Sequence, residues 1–355
     1  MTEYRSARGA VVFAAGGPVE IHDIQVPEPE DTEAMIAVDA CGLCHSDLHY
    51  IDGTSGTDFP YLLGHEIVGR IVAVGAAATV AVGTRVVVAL LAPCGQCGQC
   101  ARGRRTSCTR KVRKARPALL ASGQELTPVL GAGGLADYVT VDEQHIVTVP
   151  AWFPVEQAAL LGCGVPTGYG AVMNTAGVRA GDSVAVIGAG GVGLAAMAAA
   201  RFARASRIAA IDVSAQKLEE SVHFGATETY RAGADDLPTG FDIVVDAVGG
   251  AATLRNAVDI AGEGGHIVIP GAPKLTEQAD FPMRTAFMKR LSIEYSHWGD
   301  CDPQRDIASL STLALTGGLP LERYVSEVID FAHTAQGYER MRAGTVLRSV
   351  VRISA

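Results

Sequence analysis

Hydrophobic positions change their period partway along the chain. Over residues 8–26 apolar and polar residues alternate, the period-2 signature of half-buried strands. DTEAMIAVDACG (31–42), GHEIVGRIVAVG (64–75) and the β-branched run TRVVVALLAP (84–93) continue in the same vein. The front half therefore predicts an all-β unit with long functional loops. Near residue 165 the pattern switches to short apolar strands alternating with Ala-rich stretches. SVAVIG precedes a helix from about 191 to 204. RIAAID precedes a second helix from about 214 to 224, and DIVVDAVG and HIVIPG follow. This βαβα order predicts a parallel sheet covered on both faces. The tail, 298–355, returns to mixed character and ends in a strand, LRSVVRIS. The expected fold class is α/β, with a β-rich unit over 1–164 and 298–355 and a doubly wound unit over 165–297.

Composition sharpens this only in places. Forty-one glycines and 6% aromatics suit tight βα turns and close helix–sheet packing. A net charge of −9 argues against nucleic acid or an anionic membrane as partner. The N-terminus MTEYRSARGA has no apolar signal core, and the longest uncharged apolar run, 184–200, is Gly/Ala-rich and too short to span a bilayer. The expected location is the cytoplasm. In that reducing compartment a cysteine cluster points to metal or catalysis rather than disulfides.

SVAVIGAGGVG contains Gly188-x-Gly190-x-x-Gly193, between a predicted strand and a predicted helix. The next strand ends in Asp212, nineteen residues after Gly193. Gly188 permits the tight turn, Gly190 lets a pyrophosphate approach the backbone, and Gly193 lets helix and strand pack closely. Together with Gly191, these residues place free N–H groups and a positive dipole end at the phosphates. Asp212 accepts from ribose hydroxyls and repels a 2′-phosphate, and Val213 and Ser214 supply no compensating cation. NAD is the expected cofactor.

Cys94, Cys97, Cys100 and Cys108 form C-x2-C-x2-C-x7-C within 91–116. Four thiolates at this spacing can close around one tetrahedral Zn²⁺, a structural site. Arg102, Arg104, Arg105, Arg110, Lys111, Arg113, Lys114 and Arg116 crowd the same stretch. They could offset the thiolate charge or dock an anionic substrate group. A second, dispersed set comprises Cys44 in CGLCHSDLH, His65 and Glu66 in GHE, and Cys163 in LLGCGVPTGYG. Two thiolates, one imidazole and one open position describe a catalytic zinc site.

These motifs, with Gly75 after GHExxG and LRSVV near the C-terminus, occur in the order seen in zinc-dependent medium-chain alcohol dehydrogenases, and the whole chain resembles that family. The resemblance implies a GroES-like catalytic domain, with the four-cysteine loop as its structural-zinc lobe, and a Rossmann cofactor domain. It implies two Zn²⁺ per chain, the catalytic one held by Cys44, His65 and Cys163, with Glu66 as a transient ligand. Asp47 would orient His65, Ser46 would take the alcohol proton, and His49 would pass it to solvent. His45, Lys217 and Arg348 match positions that contact the cofactor pyrophosphate or ribose. Thr167 and Val192 match positions pressing on the nicotinamide. His49 and Lys217 also admit ordinary surface roles. Cys41 and Cys301 match no ligand position and read as small buried hydrophobes.

Polyol and sugar dehydrogenases of the superfamily commonly carry Glu as third ligand, so Cys163 favours the alcohol dehydrogenase branch. HWGDCDPQRD, GLPLERYVSE and MRAGTVLRSVV resemble S-(hydroxymethyl)mycothiol, class III-like and aryl-alcohol dehydrogenases more loosely. The expected substrates are primary or aromatic alcohols and their aldehydes. The alternative is a thiol-dependent, mycothiol-type formaldehyde dehydrogenase. A homodimer or homotetramer built through the cofactor domains is the expected assembly.

Overall fold

The computed structural model describes residues 3–110, 115–234 and 236–354. The chain divides into two units, Met1–Cys163 with Asp302–Ser311 and Leu321–Ala355, and Gly164–Cys301 with Thr312–Pro320. Thr312–Pro320, expected with the β-rich unit, groups with the second. There Arg201 donates to the Gly318 carbonyl at 3.2 Å.

The first unit holds two β-systems. One is a closed barrel of Tyr4–Val12, Glu20–Pro27, Ala118–Leu120, Glu125–Pro128 and Tyr61–Leu62. The other is a seven-stranded sheet in which Glu33–Gly42 pairs with Glu66–Val74, Tyr138–Asp142 and Arg348–Arg352. Ile36, Val38, Leu43, Leu63, Ile67 and Val351 build the core beneath it. This unit is not all-β. The stretch after Cys44 forms a helix, His45–Ile51. Cys44 and Asp47 form a capping box there, which supplies acceptors to N–H groups the first turn leaves unpaired. The run expected as a strand over 84–93 pairs only over Arg85–Val88. Beyond it Ala89 still donates to the His145 carbonyl, and Pro93, with no N–H to give, introduces the cysteines.

The second unit is a six-stranded parallel sheet in the order Glu228–Arg231, Arg207–Asp212, Ser183–Ile187, Phe241–Asp246, Ala261–Ile269, Ser292–Tyr295. In chain order of the strands this is 3-2-1-4-5-6, the doubly wound arrangement whose switch point lies beside the first strand. Val184–Ile187 are buried without alternation, as befits a central strand covered on both faces. The helix after it spans Gly191–Phe202. The helix expected over 214–224 is α-helical only over Ala215–Ser221. It tightens to a 3₁₀ turn over Val222–Phe224 and stops at Gly225, whose φ is +113°. No helix among the described residues is long and apolar enough to cross a membrane.

Candidate active site

Three chain segments bring the dispersed ligands together. Cys44 caps helix His45–Ile51. His65 precedes strand Glu66–Val74. Cys163 follows the 3₁₀ turn Leu160–Gly162. One donor atom each from Cys44, His65, Glu66 and Cys163 lies within 4.8 Å of the others, and all four residues are buried. Gly64 makes the turn before His65 with φ +89°, and a Cβ there would press on the Leu135 backbone. Gly42 faces Glu66 on the neighbouring strand, and a Cβ there would overlap the Glu66 carboxylate.

Asp47 is fully buried and serves three donors. Its Oδ1 lies 3.1 Å from His65 Nδ1 and accepts the Gly64 N–H at 3.3 Å, and its Oδ2 accepts the Cys44 N–H at 3.3 Å. The nitrogen left over, His65 Nε2, is buried without a hydrogen-bond partner among the described residues. Native proteins rarely strand a buried imidazole nitrogen in this way, and metal ligation satisfies it. The sulfurs agree. Hydrogen bonding from Cys163, with the charges of Arg348 and His65, holds Cys44 well below the ordinary thiol range despite burial. Hydrogen bonding to Cys44, then burial, pushes Cys163 well above it. A bound cation would favour both sulfurs as thiolates. The donor set therefore fits zinc.

Arg348 sits behind this cluster. Its guanidinium donates to the Leu43 carbonyl at 2.9 Å and forms a buried ion pair with Glu66. The sequence pattern offers Arg348 only as a cofactor contact and gives no sign of this pairing. Ser46 is half-buried, with Cys44 Sγ 3.6 Å from its Oγ. His49 is half-buried, and its Nδ1 lies 3.3 Å from Thr54 Oγ1. Thr54 in turn donates to the His49 carbonyl at 3.1 Å. Nothing in the motif marks Thr54, since its role depends on the loop that closes helix His45–Ile51. His45 is exposed at the start of that helix.

The four-cysteine lobe also converges, with one sulfur from each of Cys94, Cys97, Cys100 and Cys108 within 4.8 Å of the others. No disulfide joins cysteines among the described residues. The Cys97 N–H points at Cys94 Sγ and the Cys94 N–H at Cys108 Sγ, each at 3.4 Å. Backbone donors aimed at sulfur favour thiolates and fit a Cys₄ zinc. The Cys100 N–H, with the Thr109 backbone and hydroxyl, lowers Cys97 to about 5. Several basic neighbours are already engaged elsewhere. Arg116 holds Glu30 and Glu33, and Arg105 pairs with Asp302. Their partners are carboxylates, not the lobe's sulfurs. Lys111, Arg113 and Lys114 lie outside the described residues.

In the second unit the glycine turn has the expected geometry. Gly188 has φ +94°, and a Cβ on Gly193 would overlap the Gly188 carbonyl. A Cβ on Gly190 would meet open space, the room a phosphate needs. Helix Gly191–Phe202 has no side-chain cap and no acidic residue in its first turn, so its N–H groups remain available to an anion. Asp212 ends the next strand, accepting the Ala189 N–H at 2.7 Å and the Ser214 N–H at 2.8 Å. Lys217 is half-buried on helix Ala215–Ser221, which Ser214 caps. Gly168 packs against the Val192 carbonyl, which brings the neighbouring Thr167 and Val192 into one region.

Residues 30–151 match the alcohol dehydrogenase GroES-like domain and residues 191–315 the zinc-binding dehydrogenase domain. An NDMA-dependent alcohol dehydrogenase from Amycolatopsis methanolica is 32% identical, the alignment covering 98% of this chain and 99% of that one. The chain belongs to the zinc-dependent medium-chain alcohol dehydrogenase family. An S-(hydroxymethyl)glutathione dehydrogenase from Photobacterium damsela subsp. piscicida is 31% identical over 97% of this chain and 99% of its own. Among solved structures, benzyl alcohol dehydrogenase from Acinetobacter calcoaceticus superposes with a TM-score of 0.91 at 28% identity, covering 99% of this chain and 100% of that one. The medium-chain alcohol dehydrogenase fold, GroES-like unit plus Rossmann unit, accounts for both β-systems and the parallel sheet.

Proposed function

We propose that this family member is a zinc- and NAD-dependent dehydrogenase that interconverts primary or aromatic alcohols and their aldehydes in the cytoplasm. The observation that carries the reading is the buried convergence of Cys44, His65, Glu66 and Cys163 around an imidazole nitrogen that has no hydrogen-bond partner among the described residues. Cys44, His65 and Cys163 would hold a zinc ion that would supply Lewis acidity at the substrate oxygen, and the turn Gly188–Gly193 would hold a nicotinamide cofactor that would supply the hydride chemistry. A second zinc, held by Cys94, Cys97, Cys100 and Cys108, would be structural.

The chain's own groups do the rest. Asp47 holds His65 through Nδ1, so that Nε2 is presented to the metal. Arg348 neutralises Glu66, the transient ligand. Ser46 accepts the proton of the substrate hydroxyl, and His49, steadied by Thr54, releases it toward solvent. The turn Gly188–Gly193 binds the pyrophosphate, and Asp212 takes the adenosine ribose and selects NAD. His45, Lys217 and Arg348 add cofactor contacts, and Thr167 and Val192 support the nicotinamide. Likeness to benzyl alcohol dehydrogenase supports the aromatic substrates.

A second reading draws on the S-(hydroxymethyl)glutathione dehydrogenase relatives. In it the same residues act on a thiol–formaldehyde adduct. NADH formation by the purified protein decides between the two. Turnover of free benzylic and aliphatic alcohols supports the first reading. Formaldehyde turnover that requires a low-molecular-weight thiol, mycothiol included, supports the second. Inactivity in every arm despite bound zinc and NAD rejects both.

The assembly we propose is a homo-oligomer built on strand Ser292–Tyr295, the edge of the parallel sheet. Ile293 and Tyr295 are exposed on it, and Phe287 and Met283 are exposed on the preceding helix. Such an apolar edge is a pairing surface unless it is blunted. Tyr295→Lys should shift the sedimentation of the protein toward monomer. An unchanged profile would place the interface elsewhere.

A further inference from the structure

Helix Thr334–Arg342 packs on helix His45–Ile51, which carries Ser46, Asp47 and His49. Arg342 fastens the two with a two-pronged hydrogen bond to Asp52, at 2.8 and 2.9 Å. One turn earlier, on the same face, stands Tyr338. It is 3% exposed and belongs to the core that contains Cys41, Leu43 and Leu48. Its hydroxyl is buried and makes no hydrogen bond of ordinary geometry among the described residues.

A buried phenol needs an acceptor. Its surroundings hold one of the right kind, for Asp47, Cys41 and Cys44 are the charges that act on it. Burial first, then those negative groups, keep the phenol protonated and hence a donor. An ionised carboxylate has about four acceptor sites. Asp47 spends three of them on the Cys44 N–H, the Gly64 N–H and His65 Nδ1, at 3.1–3.3 Å. Capacity remains for one more donor.

We propose that Tyr338 is a positioning residue of the metal site, donating its hydroxyl to Asp47 and so fixing the carboxylate that orients His65. The proposal rests on the reading of Cys44, His65 and Cys163 as zinc ligands. By itself position 338 reads as an ordinary core aromatic. Its role becomes visible only when helix Thr334–Arg342 is laid on helix His45–Ile51.

The test is zinc affinity of the full-length chain, by competition with a chromophoric chelator. The four-cysteine lobe serves as internal reference. Tyr338→Phe removes one oxygen and keeps the ring. It should weaken zinc at the Cys44/His65/Cys163 site about tenfold, the lower end of the cost of losing an outer partner of a ligating histidine. Affinity at the four-cysteine lobe should not change. In an Asp47→Asn background the same substitution should add nothing, because the two groups act as one. Arg342→Ala loosens the same helix without touching Asp47, and zinc affinity should survive it. Wild-type affinity in Tyr338→Phe, an undiminished effect in the Asp47→Asn background, or an equal loss in Arg342→Ala would each overturn the proposal. Wild-type protein that takes zinc only in the four-cysteine lobe would instead sink the reading beneath it, whatever the variants do.

Discussion

Arg348 and Glu66 stand 282 positions apart in the chain and meet as an ion pair sealed from solvent, their side chains 6% and 0% exposed. The pair joins the start of the last strand to the start of the strand after His65. It also reaches Cys44, because Arg348 grips the carbonyl of Leu43. Removing one member leaves the other's charge buried. Arg348→Ala should therefore cost about 3–5 kcal/mol of stability, and the paired change Arg348→Met with Glu66→Gln much less. Urea unfolding measures both. A loss below about 1 kcal/mol for the single variant, the scale of a surface pair, would mean that water reaches Glu66.

Metal content separates the two thiol clusters. Cys163→Ser should lower bound zinc from two equivalents per chain to one and abolish turnover. Cys100→Ser should also remove one equivalent, but act on folding first, because a closed four-thiolate site contributes folding energy directly. Elemental analysis with parallel thermal unfolding checks both. Two equivalents retained in Cys163→Ser would exclude that thiolate from the ligand set.

At the glycine turn the clash is with backbone and cannot be relieved by a rotamer. Gly193→Ala would drive a methyl group into the Gly188 carbonyl. The strand and helix must separate, so we expect NADH affinity to fall at least tenfold, with zinc content unchanged. Fluorescence titration with NADH reads this. Gly190→Ala probes the other half of the turn. Its methyl meets no protein atom, so the fold should tolerate it, and any loss of affinity reports the missing room for phosphate.

In the proposed reading, Asp212 sets the choice of cofactor. Asp212→Ser removes the charge facing a 2′-phosphate and should raise kcat/KM with NADP relative to NAD by an order of magnitude or more. Part of the variant's cost will be structural, because the carboxylate also accepts the Ala189 and Ser214 N–H groups. Wild-type protein that uses NADP as readily as NAD would invalidate the assignment.

Features encoded over short spans are legible in the amino-acid pattern itself. The Gly188–Gly193 turn, the strand ending at Asp212 and the four-cysteine spacing each lie within a short window, where local geometry dictates residue type. The structure places them as expected. The dispersed donor set of Cys44, His65 and Cys163 is legible in its residue types, though its individual roles come only through resemblance to a family, and the structure brings it together. Helix His45–Ile51 escapes the hydrophobic pattern. It is seven residues long, too short to show a period, and its capping box begins with a cysteine. The Arg348–Glu66 pair and the Thr54–His49 contact depend on how strands and loops close in three dimensions. No spacing along the chain announces them.

The two candidate metal clusters differ in how much of the chain each must wait for. The donors of the lobe fall between positions 94 and 108, whereas Cys44, His65 and Cys163 span most of the first unit. A chain emerging residue by residue can close the lobe on a cation once the fifteen-residue span 94–108 is out, while the dispersed set cannot exist until strand Glu66–Val74 and the turn at Leu160–Gly162 have both docked. Occupancy at the lobe then reports only that a loop has formed. Occupancy at Cys44, His65 and Cys163 would report that three segments far apart in the chain have docked together, a later and more global event in folding.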